Sequence, residues 1–409
     1  MKKYESLFQP IKIGRVEVKN RIGLAPMNLN YTREGYVSEQ QLAYYAARAK
    51  GGTGLIFTEA MRTSEEDTRR SFYDNLHLWK AAHQKGLTEL VETVHYFGAK
   101  LFVQMNIGPG PQATSKKAGL QPRAASPVPF QVQKDCQPKA LLPMIEKGII
   151  YYGWKGETPR EMTVEEIHTE TEQFAKSAKM AFVAGADGIE IHFAHGYLGH
   201  SFLSPRFNKR TDQYGGSLEN RMRFLREVLQ ATRKLVGDKP TVGVRISSDE
   251  HMPGGLTNQD VQKIVKALEK DGLDFYHQSC GTEETMLYFF PDEDGMGLDD
   301  IKAIKAAVNI PCLAYSLHDP DTVNKAVSEG MCDMVILGRP LLADAEWANK
   351  VSEGRIKDIA KCKRDLWCLV RLLQGLPSRC TQNPDLGRER YMPEYLRGPS
   401  KMSYWRSNL

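Results

Sequence analysis

The stretch from Glu190 to Arg221 reads EIHFAHGYLGHSFLSPRFNKRTDQYGGSLENR. It places His192, His195 and Tyr197 at the exit of a buried-looking apolar run, Gly188 to Phe193. Imidazoles and phenols are side chains that enzymes use to move protons or to hold one as a donor. Their grouping among Gly, Pro, Asn and Asp marks a candidate reaction site, because loops carry function while scaffolds carry packing. Metal ligation and core hydrogen bonding are the competing uses of two histidines, and no further ligand at suitable spacing lies nearby to favour metal. A second group comes late in the chain, where Cys362, Cys368 and Cys380 cluster in CKRDLWCLVRLLQGLPSRCTQNP. Seven cysteines in a chain with no sign of export do not make a disulfide framework, so this cluster points to metal or redox chemistry.

The elements that must position these groups are eight short β-rich stretches separated by segments of helical periodicity. They are Ile22 to Ala25, Gly54 to Thr58, Lys100 to Gln104, Gly188 to Phe193, Thr241 to Ile246, Leu273 to Gln278, Pro311 to Tyr315 and Asp333 to Leu337. Gly185, Gly272 and Gly330 suit the residue after a helix, where left-handed backbone is favoured. Thr163 with Glu166 spells a capping box for the helix that leads into the fourth stretch. Repeated strand and helix, with no dinucleotide fingerprint after the first strand, predict an α/β protein of the (β/α)8 TIM barrel type. Active sites of that fold collect at the C-terminal strand ends. There the sequence offers Ala25, Pro26, Met27 and Asn28, then Ala60, Gln104, Arg245, Ser316 and Leu317, and finally Gly338 and Arg339. Amides, small residues and an arginine suit a polar, planar, anionic molecule. The last two strand ends are where barrels commonly bind phosphate.

Two regions interrupt the repeat. Residues 107–162 form a long insert rich in Gly and Pro, with Tyr151, Tyr152 and Trp154 clustered in it. It reads as a substrate cover, or else as a surface excursion or a contact with another subunit. From about Val351 the repeat stops, which divides the chain into a barrel over 1–350 and a cysteine-bearing extension over 351–409.

Composition limits the function class. The 409 residues are 41% hydrophobic and 26% charged, ordinary for a globular protein with a large core. The net charge of +5 is spread along the chain without a basic stripe, which argues against nucleic acid. MKKYESLFQP lacks the apolar run of ~7–15 residues that a secretory signal needs. No stretch approaches the ~18–20 apolar residues of a membrane span. A cytoplasmic protein, off the membrane, is expected.

At this point a family resemblance becomes specific. VKNRIGLAPM, HFAHGYLGHSFLSPRFNKRTDQYGGSLENRMRF, VRISSDE and MVILGRPLLAD resemble the old yellow enzyme family of FMN-dependent oxidoreductases, across nearly the whole barrel. The resemblance implies that Pro26, Met27 and Asn28, with Ala60, lie along the flavin edge and that Gln104 bonds its pyrimidine portion. It implies Arg245 near the flavin N1, where a guanidinium stabilises the reduced ring, and Ser316, Gly338 and Arg339 at the phosphate. His192 and His195 would polarise the oxygen of an α,β-unsaturated carbonyl substrate. Hydride would then reach the β-carbon and Tyr197 would protonate the α-carbon. Two departures stand out. The phosphate turn TyrSerLeuHisAspPro lacks glycine, leaving only backbone N–H groups of Ser316 and Leu317. GlnMetAsnIleGlyProGly lacks the histidine and arginine of the family's third-strand loop, which puts substrate contacts from that loop in doubt. His251, in the loop after the fifth strand, reads as facing substrate or as a solvated loop residue.

The extension is similar to that of longer family members, those like dienoyl-CoA reductases and trimethylamine dehydrogenase. Their C-x2-C-x2,3-C-x11-C run binds a 4Fe-4S cluster. Cys362, Cys368 and Cys380 match it, but Asp365 stands at the second cysteine's position. The implied alternatives are an Asp-ligated 4Fe-4S or a 3Fe-4S cluster, or a site reduced to ordinary thiols. Those relatives continue into nucleotide-binding domains, which are not expected here. The expected electron source is therefore a reduced flavoprotein or ferredoxin-like carrier, or NAD(P)H acting directly on FMN. A homo-oligomer is the expected assembly. The leading function is an FMN ene-reductase. The alternatives are a flavin and iron–sulfur amine dehydrogenase or N-demethylase, with Tyr151, Tyr152 and Trp154 as a cage for a cationic nitrogen, or an electron-transfer subunit without small-molecule turnover.

Overall fold

Eight parallel strands close on themselves in the computed structural model, which describes residues 3–71, 74–116, 118–148 and 155–396. Tyr151, Tyr152 and Trp154 lie outside the described residues. The strands are β1 (Ile22–Leu24), β2 (Leu55–Phe57), β3 (Lys100–Asn106), β4 (Gly188–Phe193), β5 (Thr241–Ser247), β6 (Phe275–Ser279), β7 (Cys312–Tyr315) and β8 (Met334–Leu337). Each pairs in parallel with its neighbours in chain order, and β8 pairs with β1 to close the (β/α)8 barrel. All eight expected stretches form strands.

Their sequences explain the closure. Every residue of β2, β4 and β5 is buried, as expected where a parallel sheet has helices on one face and a filled barrel on the other. Along the barrel axis the two-residue alternation stacks layers. An apolar floor holds Phe57, Phe102 and Phe275, and the N-terminal hairpin of Ile11–Ile13 and Val16–Val18 plugs it from below. Gly243 makes room there, since a Cβ on it would stand 2.2 Å from the Phe275 ring. Two residues further along, Gln104 on β3 is in register with Glu190 on β4, and Arg245 on β5 with both His192 and His277. In β3, β4, β5 and β6 the inward-facing residues thus change from apolar to polar toward the C-terminal end.

The helices form from local signals. In α1 (Glu39–Lys50), Ser38 and Gln41 cap each other reciprocally, and Thr163 and Glu166 do the same for α3 (Val164–Val183). Gly185, Gly272 and Gly330 have φ of +95°, +92° and +70°, the left-handed turn expected after a helix. Between β3 and α3 lies the insert. Arg123 anchors it through Asp67 at 3.0 and 2.8 Å and through Glu170.

Within the insert, Ile145 of α2 (Leu142–Glu146) and Leu141 just before that helix pack against Met286, at the start of α4 (Met286–Phe289), and against α7 (Trp367–Leu373) of the extension. Between those two come α5 (Leu298–Ala307) and α6 (Arg339–Ala343). The extension is pinned to the barrel by a buried ion pair, Arg48 on α1 with Glu389 at 2.6 Å, and the Arg48 guanidinium lies 4.0 Å over the Tyr44 ring.

Candidate active site

A cleft opens at the C-terminal ends of the strands, where a barrel collects its functional groups. Of the expected cofactor residues, Ala25, Pro26, Met27, Asn28, Ala60, Gln104, Arg245, Ser316, Gly338 and Arg339 all line it, together with His192, His195 and Tyr197. Leu317 does not; its side chain turns into the hydrophobic core. No described residue of 107–162 lines the cleft. Leu141 and Ile145 of the insert brace the wall from outside, since they pack in one cluster with Phe289, Phe290 and Leu369, and those three do line it.

The loop that lacks the family's histidine and arginine serves the same bracing. A Cβ on Gly110 (φ +60°) would stand 2.5 Å from the Leu198 nitrogen, and Gln112 Nε2 donates to the His195 carbonyl at 2.6 Å. His195 itself is left-handed at φ +66°, a conformation a histidine keeps only where its surroundings hold it. The Gln112 bond holds its carbonyl, and the Ser247 hydroxyl accepts from its N–H at 3.2 Å.

The two imidazoles belong to one directed chain of hydrogen bonds. Arg62 Nη1 donates to Asn106 Oδ1 at 2.6 Å, so the Asn106 amide nitrogen, 3.2 Å from His192 Nδ1, is the donor there. That leaves the proton of a neutral His192 on Nε2, which faces His195 Nδ1 at 3.2 Å. By the same step His195 carries its proton on Nε2, which meets Ser279 Oγ at 2.5 Å. Burial pushes both imidazoles well below the ordinary histidine value, and the Arg245 cation adds to it, so both are neutral at neutral pH. The Tyr197 ring stands edge-on to His192 with centroids 5.3 Å apart. Burial raises its phenol above the usual tyrosine value, which keeps it protonated. Phe289 stacks on His195 at 3.9 Å and closes that side.

The floor of the cleft is set for an anion-bearing planar ligand. Arg245 is buried and donates to Ser279 Oγ at 3.3 Å, while its Nε has no partner among the described residues. Asn28 Nδ2 and His318 Nδ1 are likewise buried and unpartnered. Gln104 donates its amide N–H to Glu190 at 2.5 Å, and Glu190 is held by His277 Nδ1 at 2.6 Å. The Gln104 carbonyl oxygen is therefore left to accept from a ligand. At the far end Arg339 donates to Ser316 Oγ at 3.3 Å, with Ser316 left-handed at φ +55°. Unpaired buried donors, two of them on cations or amides, beside an apolar ring-sized space are what a bound flavin nucleotide would satisfy. These residues fit FMN.

The extension borders the same cleft. Cys368, Leu369 and Leu372 of α7 line it. Cys362, Cys368 and Cys380 come together. Burial raises the Cys368 thiol to about 12, with Cys362 and Cys380 contributing further, and burial also raises Cys362. The loop between the first two turns through left-handed Arg364 and Leu366, at φ +57° and +54°. Backbone N–H groups of Arg364 and Gln382 donate to the Cys362 and Cys380 sulfurs at 3.4 and 3.3 Å. Thiols that receive N–H bonds from a wrapped loop fit an iron–sulfur cluster. Asp365 is differently placed. Its carboxylate accepts from the Trp367 N–H at 3.2 Å and from the Thr381 hydroxyl, so both oxygens already have partners inside the extension.

Several lining residues carry no local signal in the sequence. Arg62 and Asn75 precede or follow a short helix, and Glu283, Phe289 and Phe290 lie beyond β6 in a stretch that reads as ordinary apolar loop. His251 does not line the cleft.

The NADH:flavin oxidoreductase / NADH oxidase family profile matches residues 6–358. The chain is 36% identical over 408 residues to the NADH oxidase of Thermoanaerobacter brockii, covering 98% of this chain and 59% of that protein. It is 33% identical to the cinnamate reductase of Clostridium sporogenes, covering 95% of this chain and 59% of that protein. A structure of 2-naphthoyl-CoA reductase in complex with 2-naphthoyl-CoA superposes with a TM-score of 0.83 at 30% identity, over 95% of this chain and 58% of that one. The chain thus spans less than two thirds of the length of each of these relatives.

Proposed function

Because the chain belongs to the NADH:flavin oxidoreductase / NADH oxidase family, and is therefore an FMN-dependent oxidoreductase, we propose that it reduces the C=C bond of an α,β-unsaturated carbonyl compound. The observation that carries this reading is the directed chain Arg62, Asn106, His192, His195, Ser279 with Tyr197 beside it. The kinship to a cinnamate reductase and to a reductase holding an aryl thioester supports the substrate class.

When bound, FMN supplies the hydride. Ala25, Pro26, Met27 and Ala60 would pack its ring, Gln104 and Arg245 would meet its polar edge, and Ser316, Gly338 and Arg339, with the Leu317 N–H, would hold its phosphate. Arg245, a buried cation, favours negative charge on whatever lies against it. The substrate oxygen takes the His192 and His195 N–H groups, which here are spent on each other and on Ser279; such donors commonly tighten onto substrate only in the complex. Both imidazoles are neutral, so they polarise the carbonyl as hydrogen-bond donors without transferring a full charge. Tyr197 delivers the proton to the α-carbon. Phe289, braced by α2 and α7, keeps water from that side.

Cys362, Cys368 and Cys380 would hold an iron–sulfur cluster, with Asp365 as the fourth ligand of a 4Fe-4S form or left aside in a 3Fe-4S form. NAD(P)H or a reduced carrier protein would supply the electrons. A cytoplasmic location and a homo-oligomeric assembly belong to the same proposal. Among the described residues no helix is long and apolar enough to cross a membrane.

The test is anaerobic reoxidation of the reduced flavin by a panel of enones and enoates. Rapid reoxidation that a His192→Ala, His195→Ala double variant loses supports the reading. Reoxidation left intact in that variant refutes the roles given to the histidines. Reduction of the oxidised flavin by methylated amines, without reoxidation by enones, replaces the reading with amine oxidation.

A further inference from the structure

Behind the cleft wall, the loops after β5 and β6 and the start of α5 bring His251, Cys280 and Asp300 together, with one ligand atom from each within 4.8 Å of the others. His251 Nε2 lies 3.1 Å from Cys280 Sγ, and that sulfur lies 3.8 Å from Asp300 Oδ2. We propose that these three residues form a site for a divalent transition metal of the zinc type, separate from the cysteines of the extension.

Four features make this a built site. The ligand set, one thiolate, one imidazole and one carboxylate, is a borderline-soft combination suited to Zn²⁺, with a fourth position left for water. The set is supported by outer partners. Asp249 Oδ1 stands 3.8 Å from His251 Nδ1, on the side away from the sulfur, and accepts the His251 backbone N–H at 2.6 Å. The Ser248 hydroxyl bonds Asp300 Oδ2 at 2.8 Å. Asp249 thus fixes the His251 backbone and Ser248 the Asp300 oxygen, outer support of the kind that zinc sites commonly have.

The imidazole is also held in place. His251 is left-handed at φ +52° and stacks on Tyr288 with ring centroids 3.8 Å apart and planes at 14°. Finally, access is asymmetric. The Cys280 thiol is buried while the His251 side chain is 32% exposed, so an ion enters from the histidine side and reaches the sulfur last. Binding displaces the thiol proton of Cys280 to solvent, leaving a thiolate on the metal. Tyr288 directly precedes Phe289, which covers His195, so the metal would lie directly behind the substrate wall.

The test uses the full chain with its flavin, stripped with a chelator, desalted and titrated with Zn²⁺. X-ray absorption at the zinc edge is read at one equivalent. The expected spectrum has about one sulfur at ~2.3 Å with nitrogen and oxygen ligands at ~2.0–2.2 Å. His251→Asn, in which asparagine keeps the left-handed backbone without the ring, removes that equivalent. Asp249→Asn lowers its affinity by ~10–100-fold, and Cys380→Ser leaves it in place. A shell of three sulfurs abolished by Cys380→Ser would assign the zinc to the extension and overturn the proposal. So would unchanged binding in His251→Asn, which would reduce the trio to a hydrogen-bonded thiol and imidazole.

Discussion

His192 Nε2 and His195 Nδ1 are 3.2 Å apart, so the two imidazoles are successive links in one chain of hydrogen bonds. The direction of that chain is set from outside the pair, by Arg62 acting on Asn106.

Asn106 is therefore a positioning residue. Asn106→Leu removes the donor at His192 Nδ1 and frees the tautomer. The expected result is a loss of roughly 10²-fold in reoxidation of reduced flavin by an enone, with flavin reduction by NADH little changed. Side-chain nitrogen NMR of the two histidines checks the cause, because the Nε2–H form that dominates in the parent protein gives way to a mixture.

Tyr197→Phe separates proton delivery from hydride delivery. Flavin reduction is retained, and reoxidation by an enone falls by ~10²–10⁴-fold. Because burial raises the phenol above its ordinary value of about 10, the parent protein shows no loss of this half-reaction from tyrosine ionisation up to that pH. Rapid-reaction pH profiles of parent and variant decide both points.

Glu59 lies buried beside the cleft's Ala60, and burial raises its carboxyl from 4.5 to about 8. A folded-state value above the unfolded one means that stability is fully present below about 4.5 and is lost as pH rises through 8. Glu59→Gln keeps the acceptor for the Leu76 N–H, now at 3.2 Å from Oε1, and cannot ionise. Urea denaturation across that window is expected to show the parent falling relative to the variant, the gap widening upward and closing at the acid end.

The Arg48 and Glu389 pair ties extension to barrel with both side chains buried. Glu389→Ala strands the guanidinium in the core and costs ~3–5 kcal/mol in chemical denaturation, whereas Arg48→Met with Glu389→Leu recovers much of that loss.

Asp365→Cys supplies the missing thiolate in the extension. Anaerobic reconstitution is expected to raise bound iron to about four per chain and to yield a 4Fe-4S spectrum. Iron and sulfide contents equally absent in parent and variant would mean that Cys362, Cys368 and Cys380 serve only as packed thiols.

The barrel was legible because its signals are local. Buried β-branched runs, glycines after helices and the Thr163 and Glu166 box each act within a few residues, and they formed strands and caps where expected. The cleft lining from Ala25 to Arg339 was legible through strand ends, since a barrel collects those ends on one face. The packing of the insert was not. Leu141 and Ile145 find their apolar partners, Met286 and Leu373, in two distant segments.

By itself the sequence determined the fold, the family kinship and the identity of the groups at the fourth strand's end, because periodicity and motif spacing encode them within short reach. Tertiary structure alone decided how those groups are wired. Arg62 reaches Asn106 across 44 residues, Arg48 reaches Glu389 across 341, and Cys280 meets His251 across 29. Such pairings depend on which strands closure of the barrel makes neighbours and on which face each side chain then turns, and no local pattern carries that information.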